Sequence, residues 1–399
     1  MGFSRVPSWF RLASLVPLAL GACGGSGGRS VVGHVGHVGQ GGTGGAGEGG
    51  SSSAGNTSLA VSAKLSSGPP AADAGGLCGN QILPLALDPP TVYFVLDISG
   101  SMSTPENGGT RLQLVQGAVV EQAARLNYLV KMGAAAFPLD VTATDTCHIG
   151  AQIVAPALQD LETFETAINA LVPNGGTPTA ATLNALAPNL EALAGKTIVV
   201  LATDGGPNCN PAAACGIQDC IVNIEDCSPP TLECCVQDTN CCEPTIADPR
   251  AGEDCLDETA TVNAVAAIYS AGIPVYVVGI PGSQFYADAL NAMALAGGAP
   301  QFAAPFYYQV SDLSTLGDVL TTIASAVIPC SFTLTSAPPN PTETNVYFDT
   351  EVVMSDPTNG WSWTSSVEVT LNGSACAKLK SGAVSQVQVV SGCPTEGLR

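Results

Sequence analysis

Two short apolar runs, each closed by an aspartate, constrain this chain more than any other feature. Thr91 to Leu96 (TVYFVL) and Thr197 to Ala202 (TIVVLA) show no polar–apolar alternation. That is the pattern of parallel strands covered on both faces. The first run leads into Asp97-Ile98-Ser99-Gly100-Ser101-Met102, the second into Thr203-Asp204-Gly205-Gly206. Helical spacing at Leu112, Val115, Val119, Ala123 and Leu126 follows the first run, and further helices are expected over 161–171, 179–193, 258–270, 286–296 and 313–327. Strands are expected between them over 130–137, 148–154, 274–280 and 306–310. Strands alternating with helices predict an α/β fold with a doubly wound, mostly parallel sheet.

Such sheets bind ligands beyond the carboxyl ends of their strands. Asp97 and Asp204 stand at two such ends, and a third loop, Asn174-Gly175-Gly176-Thr177-Pro178, precedes a helix. Pro178 suits the first helical position, with Thr177 as the cap before it. Asp97, Ser99, Ser101, Thr177 and Asp204 are therefore expected to converge. Two carboxylates and three hydroxyls are hard oxygen donors, suited to Mg²⁺ or Mn²⁺ and poor for zinc.

DISGS, then GGTPT, then ATDGG together resemble the metal-ion-dependent adhesion site of von Willebrand factor type A domains. The resemblance covers about Pro89 to Ile328, and all five positions match the family pattern. It implies direct coordination by Ser99, Ser101 and Thr177, with Asp97 and Asp204 acting largely through water. Neutral hydroxyls leave the cation's charge poorly quenched, so an open position would attract a carboxylate from a protein partner. The resemblance also implies that the two ends of the domain lie close together, which would let Cys78 pair with Cys330.

The chain has fifteen cysteines, a number that fits an oxidising compartment. Nine of them lie in 209–255, a stretch that interrupts the fold just after Asp204 and sets nine acidic residues against Arg250 alone. This insertion is expected to be knitted by disulfides, with zinc ligation as the rival. Its acids would also suit Ca²⁺, or form a solvated face. Parity assigns Cys147 to tie the insertion back to the sheet. Cys376 and Cys393 are expected to pair within a small β-rich module over 329–399, where Trp361 and Trp363 alternate on one packed face. Residues 77–328 would form the central domain.

The N-terminus has its own signature. A basic start (Arg5, Arg11), the apolar run Leu12 to Leu20 and small residues up to Cys23 read as an export signal over 1–22. Leu20-Gly21-Ala22-Cys23 resembles the lipobox of bacterial lipoproteins, which implies acylation of Cys23 and a membrane attachment through lipid. Gly24 after it points to the outer membrane in the Gram-negative sorting scheme. Residues 23–76 are mostly Gly, Ser and Ala without periodicity, the composition of a tether. His34 and His37 fall there and read as incidental.

Lys and Arg number 12 against 33 Asp and Glu, for a net charge of −21, which argues against nucleic acid as a partner. Enzymatic chemistry is not expected either. A hydrolase would need a base near the cation, and the only histidine in the folded part is His148, beside Cys147. The expectation is an envelope-anchored lipoprotein that grips an acidic group on a protein partner through a divalent cation. An envelope scaffold with a stabilising or vestigial metal site is the alternative, and a metal-dependent hydrolase a more distant one.

Overall fold

The computed structural model describes residues 78–79, 81–86, 89–142, 144–224, 240–243 and 251–397, all within one compact unit. The expected export signal over 1–22, Cys23 and the expected tether with His34 and His37 lie outside the described residues, as do Cys227, Cys234 and Cys235 of the insertion.

The chain enters through two short strands, β1 (Gln81–Leu83) and β2 (Leu85–Ala86), then the long strand β3 (Thr91–Asp97). A small ladder of β4 (Pro105–Glu106) and β5 (Gly109–Thr110) leads to α1 (Arg111–Leu126). There follow β6 (Lys131–Phe137), β7 (Ala151–Ala157), α2 (Leu161–Asn169), α3 (Thr179–Glu191) and β8 (Thr197–Thr203). After the one-turn α4 (Ile221–Ile224) come α5 (Glu258–Ser270), β9 (Val275–Gly279), α6 (Ala287–Ala296), β10 (Tyr308–Gln309) and α7 (Leu316–Ser325). The last stretch holds β11 (Ser331–Leu334), β12 (Thr344–Phe348), β13 (Glu351–Val353), β14 (Trp361–Ser365), β15 (Glu368–Leu371), α8 (Gly373–Lys380) and β16 (Val387–Ser391).

The central sheet has the order β10-β9-β8-β3-β6-β7, parallel except for β7 at one edge. Every residue of β3 and β8 is buried, as the unbroken apolar runs require. Side chains on a strand alternate between faces, and here each face has its own core. Val92, Phe94 and Leu96 pack with Leu112, Val115 and Leu320 of α1 and α7. Tyr93 and Val95 pack with Leu183, Val265 and Leu290 of α3, α5 and α6. The expected α/β class and mostly parallel sheet are what the chain forms.

The C-terminal region forms two four-stranded sheets, β1-β16-β12-β13 and β14-β15-β11-β2. One strand of each comes from the N-terminal side. β1 pairs antiparallel with β16 and β2 with β11, so residues 81–86, read with the central domain, are built into the C-terminal sheets. Two of their apolar residues, Leu83 and Leu85, are buried in the same core as Phe332, Val346 and Trp361. The region also contains α8, where only strands were expected.

This topology corrects two expected disulfides. Cys78 bonds Cys393, not Cys330, and Cys330 bonds Cys376, not Cys393. The register explains the exchange: Gln81 lies opposite Ser391, so the residues just beyond each end of the pair meet. Gly79 lets the two chains close, since a Cβ there would stand 2.6 Å from Val390 Cγ1. Cys330 directly precedes β11, which lies beside β15, and the helix after β15 carries Cys376 back over it.

Cys147 bonds Cys209, the first cysteine of the insertion. Within the insertion Cys215 bonds Cys255 and Cys220 bonds Cys242. Cys215, Cys242 and Cys255 bring their sulfurs within 4.8 Å of one another. Two adjacent disulfides account for that cluster, leaving no thiolates there for zinc.

Candidate metal centre

The site forms where three loops leave the carboxyl ends of the central strands. Backbone hydrogen bonds lace the loops together. Asn174 N–H donates to Ile98 O at 2.8 Å, Gly100 N–H to Gly175 O at 2.9 Å, and Asn208 N–H to Thr177 O at 2.9 Å. Thr177 N–H in turn donates to Asn208 Oδ1 at 2.6 Å. Asn208 thus grips Thr177 from two sides, a role that its sequence context did not signal.

Asp97, on the last residue of β3, is fully buried. Its Oδ1 accepts from Ser99 N–H at 2.8 Å and its Oδ2 from Thr203 Oγ1 at 2.6 Å. Thr203 closes an apolar run and reads as one more buried strand residue, so its part in the site was not visible in sequence. Ser99 Oγ and Ser101 Oγ stand 3.1 Å apart, and Ser101 Oγ donates to Asp204 Oδ1 at 2.8 Å. An ideal Cβ on Gly205 would lie 3.8 Å from both Ser101 Oγ and Thr177 Oγ1, which places Thr177 on the same small space. All five expected residues are therefore brought together.

Thr177 differs in one respect from the expectation. Helix α3 begins at Thr179, its cap position is Pro178, and no side chain caps it. The Thr177 hydroxyl is not used by the helix and is left to the site.

Burial costs an ionised carboxylate its hydration and raises its pKa, and a second carboxylate nearby raises it further. Burial, then the charge of Asp204, push Asp97 up to about 7 against the efforts of Ser99 and Thr203. Asp204 is also raised by burial, although Arg111 and Ser101 pull it down. Arg111 Nη1 donates to Asp204 Oδ2 at 2.7 Å, a contact that nothing in the sequence reading anticipated.

A divalent cation fits this donor set. Octahedral Mg²⁺ with bonds of about 2.0–2.1 Å places neighbouring oxygens about 3 Å apart, and the Ser99–Ser101–Asp204 chain of oxygens is spaced at 3.1 and 2.8 Å. Two buried carboxylates face one guanidinium, so a further positive charge would be stabilised. Ser99, Ser101 and Thr177 would hold the ion by neutral hydroxyls, and Asp97 and Asp204 would balance its charge.

The insertion begins on the rim of this space. Cys147–Cys209 lies against the Thr177 loop, since a Cβ on Gly176 would stand 2.6 Å from Cys209 Sγ and 3.3 Å from Cys147 Sγ. Of the insertion's acids, Asp219, Glu243, Glu253 and Asp254 are described and the other five lie outside the described residues. His148 is exposed, with Nδ1 3.2 Å from its neighbour's carbonyl at Ile149.

Residues 92–207 match the von Willebrand factor type A domain family. No curated protein matches the chain. Among solved structures, the vWF domain of the type V pili tip protein Mfa5 from Porphyromonas gingivalis is similar at 13% identity and a TM-score of 0.41, over 60% of this chain and 96% of that one. The pilus adhesin SpaC from Lactobacillus rhamnosus GG is similar at 13% identity and a TM-score of 0.44, over 77% of this chain and 39% of that one. The von Willebrand factor type A protein from Catenulispora acidiphila is similar at 12% identity and a TM-score of 0.39, over 78% and 60%.

Proposed function

We propose that this chain, which carries a von Willebrand factor type A domain, is an exported binding protein that grips an acidic group on a protein partner through Mg²⁺ or Mn²⁺. The observation that carries the reading is the run of three oxygens, Ser99 Oγ, Ser101 Oγ and Asp204 Oδ1, at spacings of 3.1 and 2.8 Å over the buried carboxylate of Asp97. An ion held by hydroxyls keeps enough charge to polarise and hold a carboxylate from outside. Asp97, Ser99 and Thr177 form a buried floor while Ser101 is partly exposed, so the ion would face solvent from the Ser101 side.

Export is supported by the five disulfides of the described residues, which need an oxidising compartment. No helix among the described residues is long and apolar enough to cross a membrane. Attachment would fall to an acylated Cys23, in an outer-membrane lipoprotein. A non-enzymatic role is favoured because His148, the one histidine among the described residues, is exposed and has its Nδ1 against the Ile149 carbonyl.

The test is calorimetry with MgCl₂ or MnCl₂ on the wild type and a Ser99→Ala, Ser101→Ala double variant, followed by capture of envelope proteins with metal or EDTA. Metal binding lost in the double variant, with metal-dependent capture by the wild type, is the expected result. Equal metal affinity in the two proteins would refute the site. Metal binding without any metal-dependent partner would favour the scaffold reading, in which the ion only stabilises the loops.

A further inference from the structure

We propose that Arg111 is a built-in cation that shares Asp204 with the divalent metal, weakening the metal's binding and strengthening the loaded site's pull on an anion. This rests on the metal-site reading above and adds to it a residue outside the five.

The geometry divides Asp204 between two cations. Its Oδ1 accepts from Ser101 Oγ at 2.8 Å, on the metal side, while its Oδ2 accepts from Arg111 Nη1 at 2.7 Å. The Asp204 side chain is fully buried and that of Arg111 is only 15% exposed, so water screens the pair poorly. Arg111 is also held in place from behind. Glu106 Oε1 accepts from its Nε at 3.2 Å, from the β4–β5 ladder that precedes α1. Thr110 and Gln113 form a capping box that fixes where α1 begins, and hence where Arg111 starts from.

The backbone has made room for the guanidinium. Gly282 has φ of +111°, and a Cβ there would stand 2.6 Å from Arg111 Nη1 and 2.9 Å from Asp204 O. A side chain at 282 would displace the guanidinium from the carboxylate. The opposite loop is thus shaped around the ion pair, beyond what α1 alone would need.

The electrostatic consequence follows from the charges at the floor of the site. With a metal bound, which requires both carboxylates deprotonated, Asp97 and Asp204 would carry two negative charges against one positive charge on Arg111. A divalent cation would leave that set at net +1, where without Arg111 it would be neutral. Glu106 sits on the partly exposed far side of the guanidinium, where solvent screens it in part, so it offsets some of that surplus and not all of it. A like charge beside a metal opposes its binding, and the surplus charge then favours a carboxylate ligand.

The experiment is calorimetric titration of MnCl₂, then of acetate into the Mn²⁺-loaded protein, for the wild type, Arg111→Gln, Arg111→Lys and Glu106→Gln. The Arg111→Gln protein should bind Mn²⁺ about ten-fold more tightly than the wild type and the loaded form should bind acetate more weakly. Arg111→Lys, which keeps the charge, should stay near the wild type in both. A structural ion pair would behave oppositely: losing Arg111 would loosen Asp204 and weaken Mn²⁺, and that result in a folded Arg111→Gln protein overturns the proposal. If Arg111→Gln does not fold, Glu106→Gln decides. It frees the guanidinium's full charge for Asp204 and must weaken Mn²⁺ binding several-fold, and an unchanged affinity overturns the proposal. Mn²⁺ binding by Arg111→Gln but not by the wild type would support it in its strongest form. No binding by any of the folded proteins would instead refute the metal site itself, and the proposal with it.

Discussion

Thr203 Oγ1 donates to Asp97 Oδ2 across 2.6 Å, linking the neighbouring strands β8 and β3 one residue beyond their last paired positions, Ala202 and Leu96. The bond orients a fully buried carboxylate whose other oxygen is fixed by Ser99 N–H. Thr203→Val keeps the shape and removes the donor. Stranding one oxygen of a buried acceptor costs about 1–3 kcal/mol, so urea unfolding of the variant in EDTA should show a loss of that size. Mn²⁺ affinity should fall too, because Asp97 would be held less firmly in its charged form. A variant as stable as the wild type would mean that Thr203 does not support the carboxylate.

How this site was legible follows from where its residues sit. Asp97, Ser99, Ser101, Thr177 and Asp204 lie at the ends of apolar runs or before a helix, where a polar residue is conspicuous. Thr203 was hidden because a threonine ends a buried strand without comment, and Arg111 because the first residue of a helix looks like surface. Asn208 lies in the short link between the Asp204 motif and Cys209, where a lone asparagine belongs to no pattern. Strands β1 and β2 have three and two residues, too few for periodicity, and Pro84 separates them. Missing them misplaced Cys78, whose partner is set by the pairing of β1 with β16 and not by the ends of the central domain.

Asp97 should make the metal-free protein less stable as pH rises. Its ordinary pKa of 3.8 is pushed up to about 7 in the fold, by burial and then by Asp204. The unfolded chain therefore gives up this proton first, and the stabilisation present below pH 4 is lost as pH rises toward 7. In EDTA, the fall in melting temperature between pH 5 and pH 8 should be larger for wild type than for Asp97→Asn. Metal competes with the same proton, so Mn²⁺ affinity should increase over that interval. An equal fall in both proteins would show that Asp97 is not the group responsible.

The Cys147–Cys209 bond should position Thr177 more than it stabilises the whole fold. Gly176 leaves no space for a Cβ between the Thr177 loop and the two sulfurs. Cys147→Ser with Cys209→Ser frees one side of that loop while Asn208 still holds the other. Metal affinity is expected to drop about ten-fold, the scale on which a loosened supporting contact acts, with the circular dichroism spectrum retained. Gly176→Ala should lower the affinity as well, by pushing the loop away with the disulfide intact. Wild-type affinity in both variants would assign the bond to the insertion alone.

The pairing of Cys78 with Cys393 carries the last prediction. The two cysteines are 315 positions apart, and closing so long a loop restricts the unfolded chain by roughly 5–6 kcal/mol in the chain-entropy model, an upper figure. The bond also holds a weak element in place, because β1 offers only three residues to its partner β16. In Cys78→Ser, Cys393→Ser the unfolding midpoint should fall. Hydrogen exchange should quicken first over Val387–Ser391, where β16 loses a neighbour while keeping β12 on its other side. Amides of β3 and β8 should stay protected, since both strands are paired on either side within the central sheet. Peptide mapping without reductant gives the direct answer. Fragments joining Cys78 to Cys393 and Cys330 to Cys376 are expected, and a Cys78–Cys330 fragment would return the N-terminal strands to the central domain and undo this account of the C-terminal sheets.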